Sequence, residues 1–151
     1  MKGIWEPLYL FLFFCAVSAA ILATTFGVEY VFDTPPCNLC LLERIPYGLA
    51  GVLGLIGIYS PFRALLWLLL GVFLGSVVLS AYHLAIVYHW LDIPTLCTKP
   101  FFSSTEALLA SDTITPCDRS PFNVLGAPLA LWNLAVSGGL AGICGYGIFR
   151  R

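Results

Sequence analysis

An all-α integral membrane protein, a bundle of four membrane-crossing helices, is the fold class this sequence predicts. Two observations carry most of that expectation. The chain is 60% hydrophobic and only 10% charged, with a mean hydropathy of +0.93, whereas soluble domains carry about 25% charged residues. Apolar runs of the roughly 20 residues needed to cross a bilayer also occur four times, at about 8–28, 40–59, 64–88 and 128–149. A third observation, the sorting of charges between the two ends of these runs, supplies an orientation. The expected organisation is one domain over residues 1–151, with loops at about 29–39 and 89–127.

The first run follows Lys2 and Glu6 and contains Val17-Ser18-Ala19-Ala20, so it shares features with a secretory signal. Glu6 and the near-continuous apolar stretch to Val28 suit a retained helix better. Glu29 and Asp33 mark its exit, before Pro35-Pro36. The second run has an informative start. A helix from Pro46 to Tyr59 would reach only about 21 Å at 1.5 Å per residue, short of a hydrocarbon core of roughly 30 Å. Starting near Cys40 gives the required length and places Arg44 and Pro46 in the first turns, where a missing N–H does least harm. Ser60-Pro61-Phe62-Arg63 is a tight connection to the third run. The loop after it holds Cys97 and Cys117, and Ser103-Ser104-Thr105-Glu106 offers a capping box for a short surface helix. The fourth run ends in Arg150-Arg151.

With four spans, Lys2, Arg63, Arg150 and Arg151 share one side with a single acid, Glu6. The other side carries Glu29, Asp33, Glu43, Asp92, Glu106, Asp112 and Asp118 against Arg44, Lys99 and Arg119. Basic residues favour the cytoplasmic face, so both termini are expected inside and both cysteine loops outside, where disulfides persist. Trp5, Trp67, Trp90 and Trp132 fall near span ends, as an aromatic belt would place them. Glycines at 48, 51, 54 and 57, with Gly71-x-x-x-Gly75 and Gly138-x-x-x-Gly142, are expected to pack within the bundle. The net charge of −1 says nothing about partners; no nucleic-acid partner is expected.

The chemistry concentrates in Cys37-Asn38-Leu39-Cys40-Leu41-Leu42-Glu43-Arg44. A C-x-x-C pair closes and reopens readily, and such motifs commonly activate a thiol. It can equally be half of a zinc site, although Cys97 and Cys117 lack ligand-type spacing. A helix beginning here would put Cys37, Cys40 and Arg44 on one face, with Cys37 further toward water. Arg44 would stabilise a thiolate or a developing anion, or else snorkel at the interface. The two loop pairs could be structural staples, and closing Cys97 onto Cys117 would be worth roughly 3 kcal/mol by chain entropy. Cys15 and Cys144 lie inside apolar spans and read as inert small hydrophobes. His83, late in the third span, is a functional candidate because ionisable groups are rare within membranes; a hydrogen bond inside the bundle is its alternative.

This ordered set resembles the DsbB-type disulfide-bond formation proteins. The resemblance rests on four spans, a C-x-x-C in the first outer loop followed by Glu43-Arg44, Tyr82-His83 late in span three, and the stretches Pro94-Thr95-Leu96-Cys97 and Cys117 to Gly126. Vitamin K epoxide reductases use related parts but carry their C-x-x-C late in the chain. The resemblance implies a thiol:quinone oxidoreductase of the bacterial inner membrane, with ubiquinone or menaquinone as cofactor and no metal. Its partner would be a periplasmic DsbA-like thioredoxin-fold protein. It further implies that the partner attacks Cys97, that Cys117 is its disulfide mate, and that Cys37 takes up the exchange. Cys40 would then face the quinone beside Arg44, with His83 near it. The loop from Cys97 to Cys117 looks short for the family, and Cys15 and Cys144 have no assigned role in it.

Overall fold

A computed structural model describes residues 5–32, 36–97, 116–118 and 123–149, with side-chain surroundings from residue 8 and excluding Leu96. Among these residues lie four long α-helices: α1 (Trp5–Val31), α2 (Asn38–Tyr59), α3 (Arg63–Val87) and α4 (Leu129–Phe149). Each is long and apolar enough to cross a membrane. Helix α1 packs chiefly on α2 and α3 chiefly on α4, while contacts between α2 and α3 join the two pairs. Apolar side chains surround the helices, with Leu49, Val52, Leu68 and Val78 more than half exposed on the outside. Such all-round hydrophobicity suits lipid rather than water. The expected capping box and surface helix at 103–110 lie outside the described residues.

The helix ends follow from local chemistry. Helix α1 runs past the expected exit to Val31 because Glu29 stays helical and reaches Arg44. Cys37 is the N-cap of α2; its sulfur accepts from the Cys40 N–H at 3.2 Å. At the end of α3, His89 takes φ 57°. The Trp90 N–H donates to Ala85 O at 2.8 Å and the His89 N–H to Ile86 O at 2.9 Å, the Schellman pattern that stops a helix. Before α4, Asn123–Val124 (β1) and Ala127–Pro128 (β2) form a small antiparallel hairpin not expected from the sequence. Its turn residues Leu125 and Gly126 both have positive φ, 54° and 80°, as a type I′ turn requires. The Trp132 indole N–H ties it to α4 by donating to Val124 O at 3.1 Å.

Two buried clusters occupy different parts of the bundle. One gathers Phe11 and Phe14 of α1, Tyr47 and Ala50 of α2, Leu66, Leu69 and Phe73 of α3, and Leu140, Cys144 and Ile148 of α4. The other joins Cys37, Leu39 and Ile86 to Cys97 and Cys117. Arg63 at the start of α3 donates to Ile148 O at 3.2 Å, placing the α2–α3 turn beside the last turn of α4. Among the described residues, Arg63 therefore stands at one end of the bundle and the cysteine pairs, with Arg44, at the other.

The glycine expectation holds at Gly54 and Gly57 of α2 and fails at Gly48 and on the other two helices. A side chain at Gly57 would overlap the Phe11 ring, and at Gly54 it would meet Cys15 Sγ at 2.6 Å; both glycines let α1 and α2 approach closely. Gly71, Gly75, Gly138 and Gly142 instead have open space where a side chain would stand. The core of the α3–α4 pair is built from larger residues such as Leu69, Phe73 and Leu140, which turns these glycines outward.

Candidate active site

The first turn of α2 supplies most of the site. Cys37 and Cys40 are joined in a disulfide, and Cys97 is joined to Cys117. Cys97 ends a 3-10 turn, Thr95–Cys97, closed by its N–H donating to Pro94 O at 2.9 Å. The two disulfides share one buried cluster. Cys37 is 1% exposed, Cys97 3% and Cys117 0%. The expectation that Cys37 lies toward water is therefore corrected: it faces α3 and the second disulfide. Its extended backbone as an N-cap, φ −72° and ψ 162°, takes it off the helical face projected from Cys40 and Arg44.

Cys40 faces elsewhere. Together with Arg44, Glu43, Tyr47, His83 and Asn133 it lines a cavity of about 330 Å³, whose walls include Ile21, Val28, Val87, Leu129 and Val136. All four helices contribute to this cavity, and Cys37 is not part of its lining. A mostly apolar cleft with a few converging polar groups is the usual form of a small-molecule site.

Arg44 is held from two sides. Its Nη1 donates to Glu29 Oε2 at 2.7 Å, and its guanidinium lies 4.7 Å from the centre of the Phe26 ring. Both partners belong to α1, so the α1–α2 contact fixes the cation at the cavity. His83 is 5% exposed and Glu43 8%. His83 Nδ1 stands 2.9 Å from Glu43 Oε1, and Nε2 stands 3.8 Å from Cys37 Sγ. In the sequence Glu43 reads as one of seven outward acids and as part of the Glu43-Arg44 pair after the C-x-x-C, with no role of its own; its position at the edge of an apolar span was the available signal.

A polar network missed in the sequence closes the cavity below these groups. The Tyr47 hydroxyl donates to Asn133 Oδ1 and lies 2.9 Å from Ser137 Oγ. Ser137 meets Ser76 at 2.8 Å, and Asn133 Nδ2 donates to Ser80 Oγ at 2.8 Å. Each polar group of this network has a protein partner, as a setting within a bilayer demands. The i, i+4 pairs Ser76/Ser80 and Asn133/Ser137 each mark one helix face, which is the signal that could have found them.

Cys37 Sγ, Cys40 Sγ and a His83 nitrogen lie within 4.8 Å of one another. Zinc binds the thiolate, whereas both sulfurs here belong to a disulfide. Cys15 and Cys144 are free. Cys15 donates to Gly51 O at 3.5 Å, and Cys144 is buried in the core of the other end.

Four spanning helices with two disulfides packed together at one end, one of them bordering an intramembrane cavity, define a multi-pass membrane protein of thiol–disulfide chemistry. Comparison with known proteins narrows the class. The family described as disulfide bond formation protein DsbB matches residues 7–147, and the chain belongs to that family. It is 30% identical over 135 residues to disulfide bond formation protein B of Alkalilimnicola ehrlichii, covering 83% of each chain. It is 25% identical over 139 residues to the protein of the same name from Ralstonia nicotianae, covering 82% of each. Over 130 residues it is 26% identical to a Rickettsia prowazekii protein designated RP370, covering 80% of this chain and 76% of that one. The chain is a disulfide-forming oxidoreductase of the membrane.

Proposed function

We propose that this protein is a thiol:quinone oxidoreductase that reoxidises a DsbA-like dithiol protein in the periplasm, sustaining disulfide formation there. The observation that carries the reading is the division of labour around Cys37–Cys40: Cys37 packs on the second disulfide, while Cys40 opens into an apolar cavity beside a fixed guanidinium. Electrons thus have an entry sulfur and an exit sulfur in one disulfide.

In the proposed sequence, a thiolate of the reduced partner attacks Cys97, and Cys117 leaves as a thiolate. A second partner thiolate completes its own disulfide and leaves Cys97 and Cys117 reduced. A loop thiolate then attacks Cys37, which breaks the Cys37–Cys40 bond and leaves Cys40 as a thiolate. Arg44 stabilises that anion at the cavity. Because Cys97 and Cys117 are buried, partner docking has to expose them.

The cavity residues fit a quinone ring. Apolar walls would hold the ring; Arg44, with the Asn133 amide N–H, offers donors for its oxygens, and His83 forms part of the wall. When bound, ubiquinone or menaquinone supplies a two-electron acceptor that the chain itself lacks. The proposed setting is the bacterial inner membrane, with both termini cytoplasmic and the cysteine loops periplasmic. Purified protein with added quinone should oxidise a reduced thioredoxin-fold dithiol catalytically, with one quinone consumed per disulfide formed. Catalytic oxidation that needs no quinone would refute the reading, as would none with quinone present.

A further inference from the structure

We infer that Cys37, His83 and Glu43 form a thiol–imidazole–carboxylate triad in which His83 is the proton acceptor and donor for Cys37, and Glu43 its positioning residue. The inference rests on the two-pair relay proposed above and gives these residues, of which Glu43 and His83 also line the cavity, a part in the exchange between pairs.

Three observations converge on it. Both ring nitrogens of His83 are engaged by α2, Nδ1 with Glu43 Oε1 at 2.9 Å and Nε2 with Cys37 Sγ at 3.8 Å. All three residues are buried, so water is a poor proton partner for this sulfur. Cys37, and not Cys40, is the sulfur of its pair in the buried cluster with Cys97 and Cys117, against which Cys40 packs from a partly exposed position. The order nucleophile, base, orienting acid is the logic by which histidine activates a thiol elsewhere.

The proton accounting is complete within the chain. With the Nδ1–H donating to the Glu43 carboxylate, Nε2 presents its lone pair to Cys37. In the reverse of the relay, when Cys37 attacks a loop disulfide, its proton passes to Nε2. The new bond joins Cys37 to one loop sulfur as the Cys97–Cys117 bond breaks, and the other loop sulfur departs as a thiolate carrying the electron pair. In the direction of the relay, the second loop thiol gives its proton to Nε2 and attacks the loop sulfur bonded to Cys37; the Cys97–Cys117 bond re-forms as the bond to Cys37 breaks, and Cys37 departs as a thiolate that takes that proton from the imidazolium. Glu43 balances the imidazolium charge in both cases. Among the described residues, the other ionisable groups sharing the cavity with His83 are Glu29, Arg44, Tyr47 and Cys40. Arg44 is already paired with Glu29, which leaves Glu43 as the carboxylate bonded to the imidazole.

The test uses the full-length protein carrying Cys15→Ala, Cys40→Ser, Cys117→Ser and Cys144→Ala, so that only Cys37 and Cys97 remain. Reaction of Cys97 with an aryl disulfide releases one coloured thiolate. Attack by Cys37 on that mixed disulfide then releases a second, in a step independent of reagent concentration. Peptide mapping of acid-quenched samples confirms which sulfur carries the aryl group. His83→Gln should slow the second release roughly a hundredfold near neutral pH and make its rate climb with pH, since the thiolate must then form without the internal base. Glu43→Gln preserves size and a hydrogen bond to Nδ1 but removes the charge. It should slow the step roughly tenfold, and it carries the test by itself if His83→Gln does not insert. Unchanged rates and pH profiles in the variants would overturn the triad while leaving the relay standing. Absence of a second release both in this parent and in its counterpart that keeps Cys117 and carries Cys97→Ser would overturn the relay, and the triad with it.

Discussion

Arg44 shows how a single charge is tuned by a helix other than its own. Its place one turn beyond Cys40 is legible in the sequence, as is the cost of leaving it unpaired near lipid. Glu29 and Phe26 as its partners were not legible, because they depend on how α1 lies along α2. The same holds for Glu43 and His83, which are forty residues apart and meet only when α2 and α3 pack. Cys37 was misplaced toward water for a local reason: the projected helical face ignored the extended backbone of an N-cap. At this scale the proposed contact between Cys40 and the electron acceptor has an optical signature. With quinone bound, Cys37→Ser leaves Cys40 as a lone thiolate against an electron-poor ring and should give a charge-transfer band in the visible. Cys40→Ser should give none. Arg44→Met in the Cys37→Ser background should weaken the band and move it to higher pH, because the cation favours the thiolate. A band in Cys40→Ser and none in Cys37→Ser would reverse the roles of the two sulfurs.

The helices themselves were the most legible feature, since hydropathy and length fix a membrane span with little help from context. Their ends and faces were less so. The extension of α1 to Val31 depends on the tertiary pairing of Glu29, and the hairpin before α4 on a positive φ at Leu125, a residue that gives no turn signal. The small-residue rows looked alike in sequence but do different things. Gly54 and Gly57 sit against Cys15 and Phe11, whereas Gly71, Gly75, Gly138 and Gly142 face open space. Gly57→Val should therefore destabilise the bundle by about 1–3 kcal/mol through overpacking and, by displacing α1, loosen the grip of Glu29 on Arg44. Gly71→Ala and Gly138→Ala should stay within about 0.5 kcal/mol of the parent. Reversible unfolding in mixed detergent reads both. Equal losses for Gly57→Val and Gly71→Ala would contradict the assignment of inner and outer glycine faces.

For the molecule as a whole, packing assigns the ends of the bundle and charge proposes their sides. The bond from Arg63 to Ile148 O and the shared cluster of the two disulfides place Arg63 and the disulfides at opposite ends of the bundle; in the sequence, Lys2, Arg150 and Arg151 fall on the side of Arg63. With the basic end cytoplasmic, an impermeant thiol reagent added outside intact cells, after reduction, should label Cys97 and Cys117. Labelling of that loop only after the cytoplasmic face is opened would reverse the orientation. The central claim, that two cysteine pairs act in series between a dithiol protein and a quinone, is tested most directly by following quinone reduction and partner oxidation together in single-cysteine variants. Cys→Ser at 37, 40, 97 or 117 should each abolish steady-state turnover in protein that still inserts, while Cys15→Ala and Cys144→Ala keep parental rates and one quinone reduced per disulfide formed. Full turnover by the Cys97→Ser/Cys117→Ser double variant would contradict the account.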